Sequence, residues 1–103
     1  MPTVVRRHTP PPAAPPVRLC DEMLTEESVR AIPRLPEGPG RHRVMLDLGG
    51  VRIPTAGGLG ALVTLHQRLR AGGGTLTLLN VRPWVYEVFE LMRLTEVLDV
   101  RAA

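Results

Sequence analysis

The chain contains no lysine: all thirteen basic residues among its 103 are arginine. That absence removes the phosphate-cradling G-x-x-x-x-G-K-[ST] loop from consideration, because the motif needs a lysine ammonium at its end. Cysteine is nearly absent too. Cys20 stands alone, so no disulfide forms within the chain, and no Cys/His spacing resembles a zinc site. Aromatics are limited to Trp84, Tyr86 and Phe89, all in one short segment. A nucleic-acid surface wants a basic stripe interleaved with aromatics. Here the arginines are scattered and the net charge is only +3, so direct nucleic-acid binding is not expected. No apolar window reaches the length of a membrane span. The first residues, MPTVVRRHTPPPAAPPVR, lack the apolar core of a signal peptide. A cytoplasmic protein without membrane insertion is the expectation.

Proline and glycine are plentiful and divide the chain. PPPAAPP at 10–16 fixes φ and removes backbone donors, which excludes helix and sheet interior. Residues 1–16 are therefore expected to be a flexible arm, and 17–103 a single domain with one modest core. VRLC at 17–20 reads as a short edge strand. In LTEESVRAI, Thr25 is a helix N-cap, Glu26 and Glu27 sit in the first turn, and Val29 and Ile32 face inward. Pro33 ends that helix.

Val44, Met45, Leu46 and Leu48 form a nearly unbroken apolar run, which predicts a central strand buried on both faces. A helix comes next, over about 59–70, with Leu59, Leu62, Val63 and Leu69 on one stripe and Leu65 beside it. Gly72 to Gly74 stop it. TLTLLNV is a second buried strand. PWVYEVFELMRL predicts a helix over about 84–94, with Val85, Val88, Phe89 and Met92 inward. EVLDV is a last short strand. This alternation predicts an α/β fold: a small, mainly parallel sheet with the helices packed on one side.

In such folds, function sits on loops at the carboxyl ends of strands, and VRIPTAGGLGAL lies there. Enzyme signatures are missing. Gly58-Leu59-Gly60 does not continue as G-x-G-x-x-G, there is no G-x-S-x-G, and Asp47 has no carboxylate partner nearby in sequence. Asp47 is expected to hydrogen-bond a neighbouring loop, and no catalytic residue, metal site or cofactor is predicted. His66 is expected at a surface or boundary position. Thr55 caps the helix that starts after it, or it presents an accessible hydroxyl that a kinase phosphorylates. Gly57 and Gly58 keep the approach open for a partner's backbone.

From Arg43 to Val100 the order of motifs resembles the STAS domain family. Asp47-Leu48-Gly49-Gly50-Val51 matches a strand ending in D-L-S-G-V. Thr55-Ala56-Gly57 falls where the family has a phosphorylatable serine, a small residue and glycine. Arg70 to Gly74 match a helix ending in R-x-x-G-G, and Asn80 with Pro83 matches an N-x-x-P turn after the next strand. Pro54 replaces the family's aspartate and Thr55 its serine. The resemblance implies a non-catalytic regulatory module, similar to an anti-sigma factor antagonist in a partner-switching circuit. It implies binding of an anti-sigma factor kinase through Arg52, Pro54, Thr55, Ala56, Gly57, Gly58 and Leu59. Phosphorylation of Thr55 would oppose that binding and a phosphatase would restore it. Two alternatives stay open: an accessory subunit of a lipid-transporting ABC system, and a degenerate scaffold without a switch.

Overall fold

Every second residue of two short apolar segments is buried, and this alternation organises the domain. The computed structural model describes residues 16–19, 21–32 and 42–103. Residues 1–15 of the expected proline-rich arm, Cys20 and Pro33 lie outside the described residues. In chain order the elements are β1 (Val17–Arg18), β2 (Met23–Leu24), α1 (Glu26–Arg30), β3 (Arg43–Asp47), β4 (Ile53–Pro54), α2 (Ala56–Ala71), β5 (Thr75–Val81), α3 (Pro83–Leu91), a 3-10 turn (Leu94–Glu96) and β6 (Asp99–Ala102).

The main sheet has the order β1-β3-β5-β6, with every pair parallel. β3 and β5 are its central strands, in register from Arg43 opposite Thr75 to Asp47 opposite Leu79. Each step through the sheet advances in the same direction and carries one α-helix. Right-handed crossovers then place α1, α2 and α3 on one face. Burial agrees. Val44, Leu46, Leu76 and Leu78 are buried, whereas Met45, Thr77 and Leu79 are half-buried. The strands are thus covered fully on the helix side only, which corrects the expectation of burial on both faces. The continuous apolar run arises because Met45 and Leu79 occupy the less covered face, where a sheet tolerates apolar side chains.

The helices obey local chemistry. Thr25 caps α1: its hydroxyl accepts the Ser28 N–H at 3.0 Å and the Ser28 hydroxyl accepts the Thr25 N–H at 3.2 Å. Val29 and Ile32 are buried as expected. α2 buries Leu59, Leu62, Leu65 and Leu69. It stops where Gly73 adopts φ 81° and the Gly74 N–H returns to the Leu69 carbonyl at 2.7 Å. α3 starts with Pro83 and buries Val85 and Phe89. It ends at Leu91, earlier than the pattern suggests, because Arg93 turns left-handed at φ 57°. Met92 is consequently 58% exposed and not inward. The core is one apolar cluster, with Leu46, Leu62, Leu78, Val85 and Phe89 fully excluded from solvent. Burial of each such side chain contributes about 1.5–3 kcal/mol.

Candidate functional site

The carboxyl ends of β3 and β5 carry a braced loop. The Asp47 carboxylate ends β3 and accepts the Gly49 N–H at 2.8 Å through Oδ1 and the Asn80 side-chain amide at 3.3 Å through Oδ2. Asn80 is left-handed, φ 55°, where β5 gains an extra residue against β6. Asparagine tolerates that backbone better than most residues. The Arg82 Nε donates to the Gly49 carbonyl at 2.7 Å. Leu48 and Val51 on this loop are fully buried, and the Val51 N–H closes the turn on the Leu48 carbonyl. Asp47 thus braces its neighbouring loop, as the sequence predicted.

The loop then runs into a second, two-stranded parallel sheet, in which Met23 lies opposite Ile53 and Leu24 opposite Pro54. Arg52 and Ile53 both donate to the Glu22 carbonyl, and the Thr55 N–H donates to the Leu24 carbonyl at 3.0 Å. Proline is tolerated in β4 because a two-residue edge pairing does not call on its missing donor.

Thr55 is the N-cap of α2, which begins at Ala56, three residues before the expected start. Its hydroxyl accepts the Gly58 N–H at 3.1 Å and donates to the Leu24 carbonyl at 2.7 Å. One side chain therefore caps α2 and ties it to β2. Thr55 is half-buried, and its hydroxyl proton is committed to a backbone acceptor instead of standing free at the surface.

The residues expected to meet a partner separate into two groups. Arg52, Ala56 and Gly57 are exposed, and Pro54 and Thr55 are half-buried. Gly58 and Leu59 are buried, and Leu59 belongs to the core. Gly58 has a structural reason to lack a side chain: a Cβ there would sit 2.2 Å from the Leu24 carbonyl oxygen. At Gly57 a Cβ would meet nothing closer than 3.8 Å. That position is open towards solvent.

Pattern reading missed two apolar neighbours of this turn. Met23 and Ile53, side by side across β2 and β4, are 47% and 51% exposed. α3 packs near β4, and Trp84 at its start is 62% exposed. The available signal was an isoleucine beside Pro54 in a segment too short to bury both its faces. Arg52 and Arg82 are exposed on the same loops, and the first turn of α2 carries no acidic residue. Among the described residues no three His, Cys, Asp or Glu side chains group as metal ligands. None of the described helices is long and apolar enough to cross a membrane. Chemically, the site offers a small apolar surface and an open helix start, with the Arg52 and Arg82 cations on its loops and Glu26 of α1 beside Gly57, which suits docking of a protein.

The STAS domain model described as "Mlab, STAS domain" matches residues 22–99. No curated protein and no solved structure matches the chain significantly.

Proposed function

The chain belongs to the STAS domain family, and from that premise we propose that it is a non-catalytic regulatory module that docks a protein partner through Arg52–Gly57, flanked by Met23 and Trp84. Gly58 and Leu59 support this surface from inside. The observation that carries the proposal is the exposed Met23–Ile53 pair beside the open helix start at Gly57. Apolar side chains clustered on a rigid loop mark interaction sites more often than scattered ones do. The partner class most consistent with the family resemblance is an anti-sigma factor kinase.

Phosphorylation of Thr55 then acts through the fold as well as through charge. A phosphoester replaces the hydroxyl proton that now goes to the Leu24 carbonyl. The modified side chain faces that carbonyl with oxygens and has no donor for it. β2 would separate from α2, and the Met23–Ile53 surface would lose its support. A second role, an accessory subunit of a lipid-transporting ABC system, is favoured by Thr55 being tied into the fold, since constitutive docking requires no free hydroxyl.

Capture from native cytoplasm with wild-type, Gly57→Arg and Gln67→Arg chains tests the docking surface. Gly57→Arg is expected to lose the partner and retain the wild-type melting curve, with Gln67→Arg behaving as wild type. Equal capture of one partner by all three sinks the proposal. Mass spectrometry of Thr55 and the identity of the captured protein, kinase or transporter subunit, separate the two roles.

A further inference from the structure

We infer that the free edge of β6 pairs with the β6 of a second copy of this chain, giving a two-fold symmetric dimer with one continuous sheet. Among the described residues β6 is an edge strand, bonded to β5 alone. The Ala103 N–H donates to the Val81 carbonyl at 2.9 Å, so Ala103 and, by alternation, Arg101 and Asp99 turn their backbone groups towards β5. The alternation is unbroken in β6, because the extra residue between the rungs Leu78–Val100 and Val81–Ala102 lies in β5. The N–H and C=O of Val100 and Ala102 therefore point away from the sheet. Unpaired edge groups of this kind are a template for another strand.

The side chains select both the occupant and the register. A two-fold axis joins two copies of β6 antiparallel. Centred on Val100, it makes Val100 and the second copy's Val100 exchange both backbone hydrogen bonds. It also sets Asp99 opposite the second copy's Arg101, and Arg101 opposite its Asp99. Both side chains are exposed. Centred one residue later, it would set the two Arg101 side chains directly against each other, which is unfavourable. The sequence Asp99-Val100-Arg101 is thus self-complementary in charge around one centre.

The surroundings fit. Asp99 projects on the less covered sheet face, where the Thr77 hydroxyl donates to it at 3.0 Å. Val100 projects on the helix face, in rung with Leu78. The end of α3 and the 3-10 turn pack against β6, and this region carries Leu91, Met92 and Val97 at 80%, 58% and 50% exposure. Among the described residues these are three of the six large apolar side chains most open to solvent, and they lie on elements packed against the strand that would meet the second copy. The charge pairs fix register more than affinity, since exposed ion pairs contribute little by themselves. The surface is separate from the Arg52–Gly57 loop, so the dimer stands or falls independently of the proposed docking function.

Sedimentation equilibrium of the full chain, from low micromolar to several hundred micromolar, tests the inference. A reversible monomer–dimer equilibrium is expected. Asp99→Arg and Arg101→Asp each set two like-charge pairs directly opposite one another across the two-fold axis and should each weaken it at least about tenfold, and the double variant D99R/R101D should restore it, because the exchange recreates complementarity. Circular dichroism checks that each variant folds. Should a single variant fail that check, amide exchange at Val100 in the wild type decides instead, with protection expected to rise with concentration. A chain that stays monomeric throughout, single variants that dimerise like wild type, or Val100 exchange independent of concentration would each overturn it.

Discussion

Replacing Thr55 by valine keeps the shape of the side chain and removes its hydroxyl. Two bonds go with it. The Gly58 N–H loses its acceptor at 3.1 Å, and the Leu24 carbonyl loses a donor at 2.7 Å. The losses are unequal. Gly58 is buried at the start of α2, and loss of an N-cap costs about 0.5–2 kcal/mol. The Leu24 carbonyl keeps the Thr55 N–H at 3.0 Å. Its deficit is one ordinary hydrogen bond, about 0.5–1.5 kcal/mol, and not an orphaned buried acceptor. The total is about 1–3.5 kcal/mol. For a domain of this size the middle of that range lowers Tm by roughly 9–18 °C. Thr55→Ser retains the hydroxyl and should stay near wild type. Urea unfolding of the three proteins, with a common m-value, measures the difference. If Thr55→Val unfolds within about 0.5 kcal/mol of wild type, the normal spread for inconsequential surface changes, then the hydroxyl is not tying β2 to α2 and the account of Thr55 fails.

Thr55→Glu can cap Gly58 and favours the helix dipole, but it has no proton for the Leu24 carbonyl. A net destabilisation of about 1 kcal/mol is expected by urea unfolding, together with at least about a tenfold loss of partner affinity by calorimetric titration. Gly58→Ala and Gly60→Ala should move in opposite directions in thermal melts. The first drives a Cβ to 2.2 Å from the Leu24 carbonyl oxygen and should cost about 1–3 kcal/mol or more. The second meets nothing within 4 Å and should stabilise α2 by about 0.5–1 kcal/mol. Leu62→Ala and Phe89→Ala, both at fully buried positions, should each cost about 2–5 kcal/mol in denaturant. A wild-type-like midpoint for either would contradict its place in the core.

Short-range signals determined much of the domain without reference to its tertiary structure. Apolar periodicity placed α2 and α3 and the central strands β3 and β5, because each element must bury one stripe or face. The threonine caps at Thr25 and Thr55 and the glycines after α2 marked ends, because orphan N–H and C=O groups need local partners. The order of motifs from Asp47 to Pro83 pointed to the STAS family by itself. Tertiary structure decided what depends on residues distant in sequence. The pairing of β2 with β4 joins Met23 to Ile53 across thirty residues of chain, and no local pattern encodes it. That pairing exposes Ile53, turns the Thr55 hydroxyl inward and makes Gly58 a contact point for the Leu24 backbone. Helices packed on one side were expected from the sequence, but the thin cover over Met45 and Leu79 was not, because an apolar residue on a thinly covered face looks the same in sequence as one in the core. Periodicity records which side chains share a face, but only the assembled fold determines what covers that face.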